Sequence, residues 1–295
     1  MNISFEYYRI FYYVAKYENI TKAAMVLKSS KPNVTRIIHL LEDQLDCRLF
    51  LREPRGLKLT EEGKRLYDHV AIACQHLLDA EAELCWNKNI CSGTIELGVT
   101  ETALHLFLLK HLHGFQQKYS DIKIRIQNNT TPGILKALLN GRLDLAIVTT
   151  PFELNDTFAC EDLMTFREVP AGGSEYRALA GHPMSLKEFR FHSIIGLGYG
   201  TASYEYYRKV FMEQKLDYEP AMEVATADLV IPLLQNNLGV GFIPEPLAAP
   251  FFEDQSLVPL SLNVPLPSRD VKMLWDKSLS QSRAAATFCD YLRSL

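Results

Sequence analysis

Residues 20–45 read ITKAAMVLKSSKPNVTRIIHLLEDQL, which is two helical patterns separated by a short polar turn. Thr21 is a candidate N-cap for the first helix, and Ser30 for the second. Pro32 follows in the first turn of the second helix, where a missing backbone N–H costs little. The second helix has an apolar stripe with the spacing i, i+3, i+4, i+7, formed by Val34, Ile37, Ile38 and Leu41. The stretch therefore predicts two helices that meet across a tight turn.

The other side of the second helix carries polar and cationic residues. They are Lys31, Thr35, Arg36 and His39, types that reach base edges and phosphates when a helix enters the major groove. A further amphipathic helix is predicted over residues 5–17, and residues 48–59 (RLFLREPRGLKL) predict a β-hairpin with a basic tip. Arg52 and Arg55 of this hairpin would contact the phosphate backbone as a wing.

The charge distribution agrees with a head that contacts a polyanion. The whole chain has 295 residues and a net charge of −4, but residues 1–59 hold ten Lys and Arg against six Asp and Glu. A basic head on an acidic body is expected when only the head contacts nucleic acid. Three helices and a hairpin are also compatible with a small module that binds a protein partner.

The particular residues found in the head distinguish these alternatives. The decisive segments are TKAA at 21–24, Leu27, SKP at 30–32, Thr35-Arg36, Leu41-Glu42, Leu45, RLF at 48–50, Arg52 and LTEEG at 59–63. Together they resemble the winged helix-turn-helix of LysR-type transcriptional regulators. The DNA-binding positions implied by this resemblance are Thr21, Ser30, Lys31, Pro32, Thr35, Arg36, Arg52 and Arg55.

Two of these positions depart from the family pattern. Thr35 replaces a serine and keeps the hydroxyl group, whereas Lys31 stands where most of the family has glutamine. Glutamine both donates and accepts hydrogen bonds, but lysine only donates and so favours guanine acceptors or phosphate. The base preference at this contact is therefore expected to differ from the usual one.

A long linker helix is predicted over residues 60–88, with Thr60 as its N-cap. Its apolar residues recur at spacings of 4, 3, 4, 3 and 4, at Leu66, Val70, Ala73, Leu77, Ala80 and Leu84. Such a seam either packs on the helix's own domain or pairs with a second helix. In LysR-type regulators this segment pairs two subunits, so the resemblance implies a homodimer, or a homotetramer, that reads an inverted repeat.

From Gly93 onward, strands alternate with helices, which predicts two α/β lobes with parallel sheets. The predicted fold class is thus α/β, with residues 1–59 as the winged helix-turn-helix, 60–88 as the linker and 89–295 as the effector domain. Lobe I is expected at about 93–161 and 266–295, and lobe II at about 162–265. GRLDLAIV at 141–148 and LGVGFIP at 238–244 resemble the LysR-type effector domain, a relative of periplasmic solute-binding proteins.

Hydroxyl side chains follow several predicted strands, where α/β folds bind ligands. The predicted effector-binding residues are Thr100, Thr102, Thr130, Thr131, Thr149 and Thr201. Hydroxyls and helix N-terminal amides suit a small polar metabolite, although each threonine could equally be a helix cap. Glu101 lies among them, so the charge of the effector stays open.

The sequence contains no motif that indicates an enzyme or a cofactor-binding protein. No GxSxG, HExxH, Walker loop or dinucleotide fingerprint is present, so neither catalysis nor a cofactor or metal is predicted. The six cysteines are scattered and no apolar run is long enough for a membrane span, so we expect a cytoplasmic protein with free thiols. The predicted partners are double-stranded DNA, a small effector, the chain itself and, as a candidate, RNA polymerase. The alternative is a cytoplasmic metabolite-binding protein whose head binds a protein.

Overall fold

A computed structural model of the chain describes residues 3–53, 56–85, 93–279 and 281–295, without the side chains of 52, 53, 56, 75, 76, 79, 80 and 82–85. Within it, the chain forms two compact units, Met1–Lys88 and Asn89–Leu295. We call them the head unit and the effector unit. The predicted boundary between linker and effector domain therefore coincides with the boundary between the two units.

The described residues of the head unit form four helices and one hairpin. Its elements are α1 (Phe5–Tyr17), α2 (Ile20–Val26), α3 (Lys31–Leu45), β1 (Phe50–Glu53), β2 (Gly56–Leu59) and α4 (Glu61–Cys85). The strands β1 and β2 pair in antiparallel fashion, as the alternation predicts. The apolar stripe predicted for α3 is buried in a core with residues of α1, α2 and α4. The helix-turn-helix and the hairpin are thus both present.

The effector unit contains two lobes, each with a five-stranded sheet. The chain runs through β3 (Gly93–Val99), α5 (Glu101–Ala103), a π-helical turn (Leu104–Leu108), α6 (Leu109–Lys118), β4 (Ile122–Asn128), α7 (Thr131–Leu139), β5 (Leu145–Thr149) and β6 (Phe158–Phe166) in lobe I. Lobe II contains β7 (Glu168–Gly172), a 3-10 helix (Ser174–Leu179), α8 (Leu186–Phe189), β8 (Ile194–Leu197), α9 (Ala202–Glu213), β9 (Met222–Val224), a second 3-10 helix (Ala227–Leu229), α10 (Val230–Gln235), β10 (Val240–Pro244), α11 (Glu245–Glu253) and β11 (Val258–Pro259). The chain then returns to lobe I with β12 (Arg269–Asp276) and α12 (Arg283–Arg293).

The sheets are mixed, which corrects the prediction of parallel sheets. In lobe I the order is β4-β3-β5-β12-β6: β3, β4 and β5 are parallel, β12 is antiparallel to both of its neighbours, and β6 therefore runs in the same direction as β5. In lobe II the order is β11-β7-β10-β8-β9, where β7 and β11 are antiparallel to their neighbours. The strand that runs against the others in each sheet, β12 in lobe I and β7 in lobe II, is the first strand after the chain crosses from the other lobe.

The lobe boundary also differs from the prediction. A boundary at 161 and 162 would cut β6, whose residues pair with β12 as far as Phe166. The chain enters lobe II at Arg167, between β6 and β7, and residues 166 and 168 belong to different sheets. Neither β6 nor β7 alternates cleanly between buried and exposed residues along its length, so the sequence gives no clear strand signal at this crossing.

Candidate DNA-binding surface and effector cleft

The outer side of α3 presents the predicted DNA-contacting residues. Ser30 caps the helix, its Oγ accepting from the Asn33 N–H at 3.4 Å. Lys31, Arg36 and His39 are exposed and Thr35 is half-buried. These four residues line one shallow depression together with Pro32, Leu40 and Asp43. The cations expected on one face of the helix therefore form one continuous surface.

Two of these side chains are held by their own helix. The Thr35 hydroxyl donates to the Lys31 carbonyl at 3.0 Å, and Arg36 Nη2 donates to Asn33 Oδ1 at 3.0 Å. Thr35 thus keeps acceptor capacity toward a base, while the guanidinium retains further donors beyond the one that Asn33 takes. Asn33 orients Arg36, a role that the sequence analysis did not assign.

The cap of α2 is not the predicted one. Asn19, rather than Thr21, is the N-cap, and its Oδ1 accepts from the N–H groups of Thr21 at 2.9 Å and Lys22 at 3.0 Å. Thr21 is exposed in the first helical turn. Asparagine is as good an N-cap as threonine. The sequence therefore already contained a suitable cap at Asn19, two residues before Thr21.

A buried carboxylate anchors the hairpin to α3. Glu42 is only 4% exposed; its Oε1 accepts from the Leu49 N–H at 2.8 Å and the Phe50 N–H at 3.3 Å. Its Oε2 lies 2.8 Å from Arg48 Nη1 and 3.3 Å from His39 Nδ1. Burial alone would raise the pKa of Glu42, but the hydrogen bonds from Leu49, Arg48, Phe50 and His39 outweigh it and lower the pKa.

The wing itself is only partly described. The backbone of Arg52 lies in β1, whereas Arg55 falls outside the described residues. The basic tip therefore stays a prediction.

The predicted seam of α4 is divided in two. Thr60 caps the helix, accepting from the Gly63 N–H at 2.9 Å. Val70 is buried in the head core and Leu66 packs against the same core, so these two side chains serve their own domain. Ala73 and Leu77 are exposed, and the side chains of Ala80 and Leu84 lie outside those described. A second helix would have to pair with the later part of α4, not with the whole predicted seam.

The six predicted effector-binding threonines line a single cleft between the lobes. Its volume is about 250 Å³. Thr100 follows β3, Thr130 and Thr131 follow β4, Thr149 ends β5, and Thr201 precedes α9. Thr102 lies in α5, and the remaining lining residues are Glu101, Asn128, Asn129, Leu197, Ala202, Ser203, Ala225, Thr226 and Ala227. We call this cavity the polar cleft.

Two of these threonines cap a helix with their side chains, whereas a third makes no such bond. Thr130 Oγ1 accepts from the Gly133 N–H at 3.4 Å, and Thr201 Oγ1 accepts from the Tyr204 N–H at 3.1 Å. Thr100 occupies an N-cap position without a side-chain cap bond, and its buried Oγ1 has no hydrogen-bond partner. A buried hydroxyl without a partner inside a cavity is the atom best suited to meet a ligand.

Both carboxylate oxygens of Glu101 contact other side chains of the protein. Its Oε1 lies 2.8 Å from His105 Nε2, and its Oε2 accepts from Asn128 Nδ2 at 2.8 Å. Both oxygens thus have partners on the protein, which weakens the repulsion of an anion that Glu101 alone would cause.

A buried ion pair joins the two lobes and contacts two residues that line the polar cleft, Thr149 and Ser203. Arg269, at the start of β12 in lobe I, donates through Nη1 to Glu168 Oε1 of β7 at 2.5 Å. The other donors of Arg269 reach the Thr150 carbonyl at 2.7 Å, Ser203 Oγ at 3.1 Å and Thr149 Oγ1 at 3.2 Å. Both side chains are 1% exposed. No sequence pattern indicates this pair, because its partners are 101 residues apart.

The arrangement defines a class of protein: a winged helix-turn-helix head followed by a two-lobed α/β unit with a ligand-sized polar cleft. Two family models match the chain. The model described as bacterial regulatory helix-turn-helix protein, lysR family, matches residues 5–64, and the LysR substrate binding domain matches residues 91–295. The chain therefore belongs to the LysR family of transcriptional regulators, as the resemblance of the head implied.

Curated relatives and solved structures agree with this assignment. The transcriptional regulator YofA of Bacillus velezensis is 25% identical over 97% of this chain and 96% of its own length. The regulator BudR of Raoultella terrigena is 32% identical over 61% of this chain and 60% of its own length. A full-length OxyR variant from Pseudomonas aeruginosa shares the fold, with a TM-score of 0.70 at 17% identity over 99% of this chain and 98% of that chain.

Within the ranges that the structure describes, no helix is both long and apolar enough to cross a bilayer.

Proposed function

We propose that this regulator binds an inverted-repeat operator as a homo-oligomer, with α3 in the major groove. Lys31, Thr35 and Arg36 contact base edges and phosphates, and Arg52 and Arg55 of the wing contact the backbone. The observation that carries this assignment is the cationic depression on the outer side of α3, backed by a fully buried apolar stripe. An exposed cationic helix face on a rigid support is what groove recognition needs.

The oligomer is proposed to form through the later part of α4. Ala73 and Leu77 are exposed on this helix, and Leu77 is 47% exposed. Pairing two such helices would remove apolar surface from water and place two recognition helices on adjacent half-sites. Assembly as a tetramer and contact with RNA polymerase extend this proposal. Regulation here requires no catalysis and no cofactor.

Binding of genomic fragments at two salt concentrations tests the DNA proposal. We expect purified protein to enrich an inverted repeat, and its affinity to fall steeply between low and near-physiological salt because phosphate contacts release counterions. Failure to enrich any fragment at either salt would favour a head that binds a protein partner.

Arg36→Ala should weaken specific operator binding by about 10- to 100-fold, the range expected for loss of a bidentate base contact. Arg9→Ala is the matched control, since Arg9 is an exposed arginine of the same unit paired with Glu6 on α1. It removes the same charge away from α3 and should leave specificity unchanged. Fluorescence anisotropy with operator and scrambled duplexes measures both variants. Equal losses in the two variants would remove Arg36 from the recognition surface.

We further propose that a small polar effector binds in the polar cleft. Three N-cap residues, Thr100, Thr130 and Thr201, line it, so the first turns of α7, α9 and the helical run 101–118 begin there. Helix N-terminal amides favour anionic or strongly polar groups. Because lobes I and II both line the cleft, an effector that binds one lobe arrangement more tightly shifts the population toward it.

Thr100→Val should reduce effector affinity about three- to tenfold, the effect of one lost hydrogen bond, without lowering the free energy of unfolding. Its Oγ1 has no protein partner to lose. Thr130→Val is the matched variant, which should destabilise the unit by about 1 kcal/mol through loss of a cap. Thermal-shift screening of carboxylates, amino acids and sugars identifies a binder, and calorimetry on both variants separates the effects. Destabilisation by Thr100→Val comparable to that of Thr130→Val would assign Thr100 a structural role.

A further inference from the structure

A second cavity of about 370 Å³ lies in the effector unit beside the polar cleft. It shares Glu101, Thr102, Leu197, Ser203 and Ala227 with the cleft, but most of its wall is apolar. The apolar wall comes from α10, β10 and α11 and includes Val230, Ile231, Phe242, Ile243, Leu247 and Phe251. Cavities of this size and lining hold small apolar molecules.

One polar atom of this cavity lacks a partner. Glu168 lines the cavity and is 4% exposed; its Oε1 is bonded to Arg269, but its buried Oε2 has no hydrogen-bond partner. A buried acceptor without a donor costs about 1–3 kcal/mol, and native proteins rarely leave one in that state. A ligand that supplies a donor would satisfy it.

The charges around the cavity determine which ligand fits. Three carboxylates line it, those of Glu101, Glu168 and Asp228, and the described lining residues include no lysine or arginine. His105 also lines it, and its Nε2 lies 2.8 Å from Glu101 Oε1. The lining therefore disfavours a carboxylate ligand, in contrast to the helix N-termini of the polar cleft.

We propose that this cavity is a second ligand site, which binds a small apolar molecule carrying a hydroxyl or ammonium group that donates to Glu168 Oε2. The apolar part of the ligand contacts α10 and α11, and the donor end lies next to the ion pair that joins the lobes. This site does not depend on the operator or on the effector of the polar cleft. Direct binding measurements therefore test it separately.

Three probes with one carbon skeleton separate the possible chemistries: phenylpropanol, phenylpropylamine and phenylpropanoate. Titration of the full-length protein, followed by calorimetry and ligand-observed NMR, should show saturable binding of the alcohol or the amine and none of the carboxylate. Absence of binding by both donors, or equal binding of the carboxylate, would overturn the proposal.

Variants locate the bound probe. Ile231→Trp fills this cavity from a half-buried wall position that does not line the polar cleft, and it should abolish binding. Leu229→Trp is the matched control, because Leu229 is 44% exposed and lines neither cavity. Asn129→Trp obstructs the polar cleft alone and should leave binding of the alcohol unchanged.

Glu168→Gln provides a test that does not depend on filling the cavity. It replaces one carboxylate oxygen by an NH₂ group, and we expect affinity for the donor probe to fall about tenfold, as for loss of a hydrogen bond to a charged acceptor. Circular dichroism checks that each variant is folded. Binding that survives both Ile231→Trp and Glu168→Gln, or that is lost in Asn129→Trp, would place the probe elsewhere and refute the site.

Discussion

Arg269→Met should lower the free energy of unfolding of the effector unit by about 3–5 kcal/mol, because it leaves the carboxylate of Glu168 buried without its cation. Arg269 also donates to Thr149, Thr150 and Ser203, so the substitution removes the polar connection between β12, the end of β5 and α9. Its guanidinium further lies 5.0 Å from the ring centroid of Tyr206. This is the largest effect that we expect from any single polar substitution in the unit.

The measurement uses urea denaturation followed by tryptophan fluorescence. The chain has two tryptophans, so a Trp86→Phe background leaves Trp275 on β12, the strand that also carries Arg269. Arg125→Met is the matched control: its exposed pair with Glu96, at 2.7 Å, should contribute no more than about 1 kcal/mol.

A double variant tests the physical cause. Arg269→Met combined with Glu168→Leu removes both charges, and most of the lost stability should return, since replacing a buried pair by apolar residues is often neutral. A double variant no more stable than Arg269→Met alone would show that packing, not the unpaired carboxylate, causes the loss.

Glu42→Ala should destabilise the head unit by about 2–4 kcal/mol, since it leaves one buried and one half-buried N–H group without this acceptor. Those groups belong to Leu49 and Phe50, at the start of the wing. Hydrogen exchange of these amides should therefore accelerate more than that of α1, and operator affinity should fall as the wing loses its attachment. Glu6→Ala, which breaks an exposed pair, is the control and should change neither.

The stabilisation by Glu42 also depends on pH. Its pKa is lower in the folded protein than in the unfolded chain. The contribution is thus fully present above the ordinary carboxyl pKa of about 4.3, and it is lost as the pH falls through the lowered folded value. Glu42→Gln should flatten this acid-side loss in the head unit. An unchanged pH profile in this variant would show that other carboxylates dominate it.

The sequence alone determined the features that rest on local patterns. The stripe of α3 repeats every three to four residues, Ser30 and Thr60 precede their helices, and the hairpin alternates around a turn; each signal is complete within a few residues. The threonines of the polar cleft were also predictable, because carboxyl ends of parallel strands meet at one edge of a sheet. Val70 shows the limit of such patterns. The same apolar spacing is compatible with packing in the head core and with pairing to a second helix, and Val70 lies in the head core.

Contacts between residues that are far apart in the sequence became visible in the folded structure. Asn19 and Thr21 are both suitable N-caps, and the helix begins directly after Asn19, so that Asn19 is the residue that caps it. The crossing of the chain at Arg167, and the Glu168–Arg269 pair beside it, join segments that no periodicity relates. Glu42 likewise binds amides seven and eight residues away in another element. A buried charge is stable only where the fold places its partners next to it. Such proximity in space cannot be read from the order of residues along the chain.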